Sequence, residues 1–214
     1  MLAMEEALKK RIPASVRLRI AAEVGSDLPL FLVGGTIVGV GRGEEVYPQT
    51  DLPAVPIVVV TPDIGVSTPK AFADWDARNS DQLTPSAASD RLLEAGCVLS
   101  SWLSGSTDTG APAKAGSRAG SLILDLVRAG IENDFEKVVF PWYPELRDVK
   151  RALERAGAMY ASLSGSGSAL YGLFRTQDAA AKAANRLRKQ GLRAQATATL
   201  ARAQYWKKLL TAGL

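Results

Sequence analysis

In Met159-Tyr-Ala-Ser-Leu-Ser-Gly-Ser-Gly-Ser-Ala-Leu-Tyr-Gly-Leu-Phe174, two short apolar runs flank five residues in which serine and glycine alternate. The runs, 159–163 and 169–174, read as strands, and Ser164-Gly165-Ser166-Gly167-Ser168 reads as the loop between them. Thr176 then caps a long helix through Gln190, and Leu192 to Leu200 reads as a closing strand. Upstream, Ile57 to Val60 is β-branched throughout, which predicts a strand buried on both faces. Pro144 to Ala156 predicts a helix with Leu146, Val149 and Leu153 on one face. From the prolines at 53 and 56 onward the order is strand, several helices, strand, strand, helix, strand. That order predicts an α+β fold, one antiparallel sheet with helices on one face.

The piece before Ile57 is different. Met4 to Arg11 and Ser15 to Val24 read as short helices separated by Pro13. Asp27 opens the apolar segment 28–33, Gly34-Gly35 ends it, and Thr36 to Val40 reads as a strand before a polar turn at 41–44. Two helices and about one strand cannot bury their own faces. The expected boundaries are therefore 1–55, the tail of another α+β domain, and 56–214. In the second part Ser67-Thr68-Pro69 is a helix start, with Phe72 and Trp75 following. Further helices are expected at 86–103 and 122–129, around a mobile Ser/Gly-rich loop at 104–117.

The chain has 214 residues, 47% hydrophobic and 22% charged, the balance of a soluble protein with a core. It has no histidine, which excludes a Ser-His-Asp triad, a histidine base and a histidine-ligated metal. Cys97 is the only cysteine, so no internal disulfide or thiolate zinc site can form. A net charge of +4 suits anionic ligands without implying nucleic acid. The charged N-terminus is not a signal peptide, and no unbroken apolar run is long enough for a bilayer. A soluble, cytoplasmic protein with no membrane partner is expected.

Three features could carry chemistry. The Ser164–Ser168 loop can turn several backbone N–H groups into one concavity that holds an anion, with hydroxyls as further donors. A glycine-rich hairpin without a ligand is the plainer alternative. Asp27 is either an ordinary helix N-cap before Leu28-Pro29 or a catalytic carboxylate at a helix start. Phe72 is either a core residue or an aromatic face for a base.

Taken in order, Gly25-Ser-Asp-Leu-Pro-Leu-Phe-Leu, Gly34-Gly-Thr, Gly41-Arg-Gly-Glu, Pro62-Asp-Ile-Gly-Val-Ser-Thr and Leu163-Ser-Gly-Ser-Gly-Ser-Ala resemble the GHMP small-molecule kinases. That is the galactose, homoserine, mevalonate and phosphomevalonate group. Within it, Gly65-Val-Ser-Thr and Asn133-Asp134-Phe135-Glu136 resemble the member acting on a cytidine-diphosphate-linked methylerythritol. The resemblance implies transfer of the γ-phosphoryl group of ATP, with Mg²⁺, to the 2-hydroxyl of that small molecule. It implies that Asp27 is the catalytic carboxylate and that Ser164, Gly165, Ser166, Gly167 and Ser168 close over the phosphates. It also implies that Thr68 and Phe72 bind the acceptor, Phe72 against the cytosine ring. No protein metal ligand is expected.

The family's Gly-Leu-Gly-Gly-Gly-Ser-Ser phosphate loop and its lysine partner for the aspartate do not occur in this sequence. The expectation is a C-terminal portion of such a kinase, with residues 1–55 a remnant of the N-terminal domain and a face open to homodimerisation. An inactive remnant that folds without turnover is one further possibility, and two functional alternatives remain. One is another member of the group, acting on homoserine or a mevalonate phosphate. The other is a non-catalytic α+β module binding RNA through Lys182, Arg186, Arg188, Lys189, Arg193, Lys207 and Lys208.

Overall fold

The computed structural model describes residues 1–79, Cys97 and 132–211. Apart from Cys97, which is helical and exposed, the helices expected at 86–103 and 122–129 and the loop at 104–117 lie outside the described residues. The described elements are α1 (Leu2–Leu8), α2 (Ala14–Val24), α3 (Leu28–Val33), β1 (Ile37–Val40), β2 (Glu45–Pro48), β3 (Pro56–Val60), α4 (Thr68–Asn79), α5 (Glu136–Trp142), α6 (Pro144–Arg155), β4 (Tyr160–Leu163), β5 (Leu170–Leu173), α7 (Gln177–Lys189), β6 (Ala194–Ala198) and α8 (Arg202–Thr211). They form two units, Met1–Ala54 with the chain from Leu200, and Val55–Thr199. The sequence reading placed everything after residue 55 in the second part. The structure instead groups α8 with the first.

The second unit is built on a four-stranded antiparallel sheet of order β4-β5-β3-β6. Pairing sets Ala161, Gly172, Val58 and Ala196 in one row across the strands, and Leu163, Leu170, Val60 and Ala194 in the next. These two rows face the helices, because strand side chains alternate between faces. Val58, Val60 and Leu170 are wholly buried there. Helix α6 brings Leu146, Val149 and Leu153 to the sheet, and α7 brings Ala180, Ala183, Ala184 and Leu187. Each fully buried Leu or Val of this set contributes about 1.5–3 kcal/mol. The small face of α7 lets that helix approach closely. The Thr176 hydroxyl caps α7 by accepting the Ala179 N–H at 3.1 Å, as the sequence predicts.

One expectation is corrected. β3 is not buried on both faces, since Ile57 and Val59 are only half-buried while Val58 and Val60 are covered. Among the described residues the core helices pack on one side of the sheet. On the other side Tyr171 sits edge-on to Tyr160, 6.2 Å between centroids. Burial, then the neighbouring Tyr160, pushes its phenol up to about 12.

In the first unit, β1 and β2 form an antiparallel pair whose second strand the sequence reading missed. Asp51 organises the rest. Its carboxylate accepts the Thr36 N–H at 2.9 Å and the Arg202 N–H at 2.7 Å. The Arg202 guanidinium donates to the carbonyls of Gly34 at 3.0 Å and Thr36 at 2.9 Å. Tyr205 and Trp206 add bonds to the carbonyls of Phe31 and Val33. This stitching is why α8 joins the first unit. Gly34 and Gly35 have φ of +67° and +68°, and a Cβ on either would run into Tyr205 or into Asp51 and Arg202. Both positive φ and close approach therefore require glycine.

Two outcomes follow from this packing. A Cβ on Gly172 would lie 3.1 Å from both Leu153 Cδ2 and Ala158 Cβ. Gly172→Val is expected to destabilise the second unit by about 1–3 kcal/mol, read by urea unfolding; a loss below about 0.5 kcal/mol would show that α6 can yield. The N–H of Thr36, then that of Arg202, holds the Asp51 carboxyl below its ordinary value. A depressed carboxylate stabilises above its unfolded pKa of about 3.9 and loses that contribution as pH falls through the lower folded value. The stability gap between wild type and Asp51→Asn should be full at neutral pH and close in acid. A gap independent of pH would contradict the assignment.

Candidate active site

The β4–β5 hairpin register, with Leu163 opposite Leu170, leaves residues 164–169 as its connection. The Ser164 N–H donates to Ala169 O at 2.8 Å, and the Gly167 N–H to Ser164 O at 2.9 Å. Gly165 and Gly167 have φ of +56° and +91°, a region open to glycine at little cost. The loop's first two residues are exposed and the rest half-buried.

Two other sequence-predicted residues meet this loop or stand near it on one helix face. Thr68, first in α4, places Oγ1 2.8 Å from the Ser166 hydroxyl. Phe72 lies one turn further along, on the same face as Thr68. It is 52% exposed, and the helix gives Ala71 to the core instead. The core-packing alternative for Phe72 therefore does not hold. Its ring meets Phe135 edge to face, 4.8 Å between centroids and 81° between planes. Edge-to-face contact is a favoured aromatic arrangement, and Phe72 makes it while staying largely exposed.

Asp27 belongs to the first unit and is exposed. It stands at the N-cap position of α3, but with helical backbone angles and no side-chain capping bond. The capping alternative is thus not realised, and the carboxylate is uncommitted to the helix.

Sequence reasoning used Asn133 and Glu136 only as marks of resemblance and missed what they do. Asn133 Nδ2 donates to Leu163 O at 2.8 Å and to Gly165 O at 2.7 Å, and its Oδ1 accepts the Phe135 N–H at 3.0 Å. Glu136 Oε1 accepts the Leu163 N–H and the Ser162 hydroxyl, each at 2.9 Å. Lys150 of α6 closes the group with an ion pair to Glu136 Oε2 at 2.5 Å. The signal was available: an Asn and a Glu three apart before an apolar run is a helix-start pattern, here turned toward a neighbouring strand. Among the described residues no three His, Cys, Asp or Glu side chains gather as a metal site. No described helix is long and apolar enough to cross a membrane.

Comparison with known proteins places these features. Residues 117–192 match the family described as GHMP kinases C terminal. The chain is 41% identical over 168 residues to a 4-diphosphocytidyl-2-C-methyl-D-erythritol kinase of Solibacter usitatus, covering 78% of this chain and 46% of that protein. A protein of the same name from Moorella thermoacetica is 34% identical, with 79% of this chain and 51% of the relative covered. The chain thus spans about half the length of the curated relatives it matches. A crystal structure of 4-(cytidine 5'-diphospho)-2C-methyl-D-erythritol kinase superposes with a TM-score of 0.60 at 27% identity, over 92% of this chain and 60% of that one. Homoserine kinase from Cytophaga hutchinsonii shares the fold, with a TM-score of 0.58 over 94% of this chain and 62% of that one, at 20% identity. The antiparallel sheet, the glycine–serine hairpin loop and the extent of these matches agree: the chain is similar to GHMP kinases over most of its length, and residues 117–192 match that family's C-terminal domain.

Proposed function

We propose that the chain serves the ATP-dependent phosphorylation of 4-diphosphocytidyl-2-C-methyl-D-erythritol on its 2-hydroxyl, a step of non-mevalonate isoprenoid precursor synthesis, in the cytoplasm. The observation that carries this reading is the 41% identity over 168 residues to a relative of that name. The exposed Phe72, beside Phe135 and a turn away from Thr68, supports a cytidine-linked acceptor over homoserine or mevalonate, which offer no base to stack. The hydroxyl-lined loop supports a phosphate oxygen as its ligand.

In this reading the Asp27 carboxylate takes the proton of the acceptor hydroxyl as that oxygen bonds to the γ-phosphorus and ADP leaves. Phe72 stacks on the cytosine, Thr68 holds the acceptor, and Ser164–Ser168 offer N–H and hydroxyl donors to phosphate. Most of the rate would come from positioning and charge stabilisation rather than from proton transfer. Mg²⁺ would enter with the nucleotide, neutralising phosphate charge. The described residues offer it no acidic cluster of their own, and no step here is assigned to it.

ADP release with Mg-ATP and the cytidine-linked acceptor tests the chemistry. Asp27→Asn is expected to lower kcat by about 10²–10⁴-fold, and a variant with undiminished turnover would remove Asp27 from the mechanism. Phe72→Ala is expected to weaken cytidine diphosphate binding roughly 3- to 10-fold, the share of one aromatic contact. Calorimetry showing equal affinity in the variant, or no competition by cytidine diphosphate in the wild type, would instead favour another acceptor.

A further inference from the structure

We infer that Asn133 is a positioning residue of this site, fixing the direction in which the Gly/Ser loop presents the Ser166 backbone N–H. The inference rests on the loop's reading as a phosphate-binding element and names what sets its geometry. The Asn133 amide has two N–H groups and spends both on carbonyls of the hairpin, Leu163 O and Gly165 O. Its own oxygen is taken by the Phe135 N–H. The side chain can sit only one way round, since a flipped amide would point oxygen at two carbonyl oxygens.

The consequence comes from peptide planarity. A trans peptide directs its C=O and the following N–H to opposite sides. Drawing Gly165 O toward Asn133 therefore turns the Ser166 N–H away from it. Drawing Leu163 O the same way turns the Ser164 N–H toward Ala169 O, the bond that closes the hairpin. The Ser166 N–H has no partner among the described residues, while its hydroxyl pairs with Thr68. A backbone N–H and a hydroxyl held together at one residue suit a phosphate oxygen. The same Asn133 turn carries Phe135, whose ring meets Phe72. One side chain thus sets both the phosphate-facing loop and the support of the aromatic face.

Amide hydrogen exchange and ADP titration on the whole chain test this, comparing wild type, Asn133→Ala and Asn133→Asp. The aspartate keeps an acceptor for the Phe135 N–H but loses both donors, so it separates the turn from the loop. In both variants the Ser164 and Gly167 amides are expected to exchange on the order of tenfold faster or more, with amides of β3 changed less than about twofold. ADP affinity is expected to fall by about tenfold in both. Unchanged loop exchange in Asn133→Asp overturns the inference, and so does faster exchange with full ADP affinity. A wild type that does not bind ADP instead refutes the phosphate reading, and loop exchange alone then decides whether Asn133 sets the loop.

Discussion

Leu163 has both of its backbone polar groups on the open edge of β4, and the geometry of the candidate site depends on how they are satisfied. Among the described residues no fifth strand pairs there, and two side chains serve instead. Asn133 gives an N–H to the carbonyl and Glu136 takes the N–H. Unpaired edge groups would otherwise invite another chain or cost the free energy of a lost hydrogen bond. Glu136 is itself only 16% exposed, so its charge needs company, which Ser162 and Lys150 provide. Removing one partner of such a group costs more than the pair contributes, because the remaining charge stays partly buried. Through these bonds the start of α5, the edge of the sheet and the flank of α6 are held together.

The hairpin loop inherits its position from this brace and from the register beneath it. Leu163 opposite Leu170 fixes where the strands end, and the two buried rows below fix the register. A one-residue slip would turn Val58, Val60, Ala161 and Leu163 out of the core. Gly172 belongs to the same constraint: it leaves room for Leu153 and Ala158 above β5. Rigid strands on both sides allow a short loop of small residues to hold a defined shape.

The first unit solves a different problem, attaching a helix from the far end of the chain. Asp51 receives backbone N–H groups from Thr36 and from the first residue of α8, while Arg202 returns bonds to carbonyls of the same segment. A carboxylate and a guanidinium exchange bonds with the backbone rather than mainly with each other. Their direct approach is 3.9 Å. Gly34 and Gly35 make this possible by giving up their side chains where α8 arrives.

The sequence by itself determined most of the described elements of the second unit. Short apolar runs, a threonine cap and a glycine–serine run specified β4, the loop, β5, α7 and β6, because these are local patterns of side-chain type and turn chemistry. The motifs also placed the chain among its relatives. What only the tertiary structure decided were matters of side chains meeting across long separations. That α8 folds back on residues 31–36, that Phe72 stays exposed while Ala71 is buried, and that Thr68 reaches Ser166 depend on contacts with no signature in local spacing. Asn133 and Glu136 are the clearest case. Their sequence pattern suggests a helix start, but their bonds go to a strand some 30 residues away, and a hydrogen bond depends on distance in space, not along the chain.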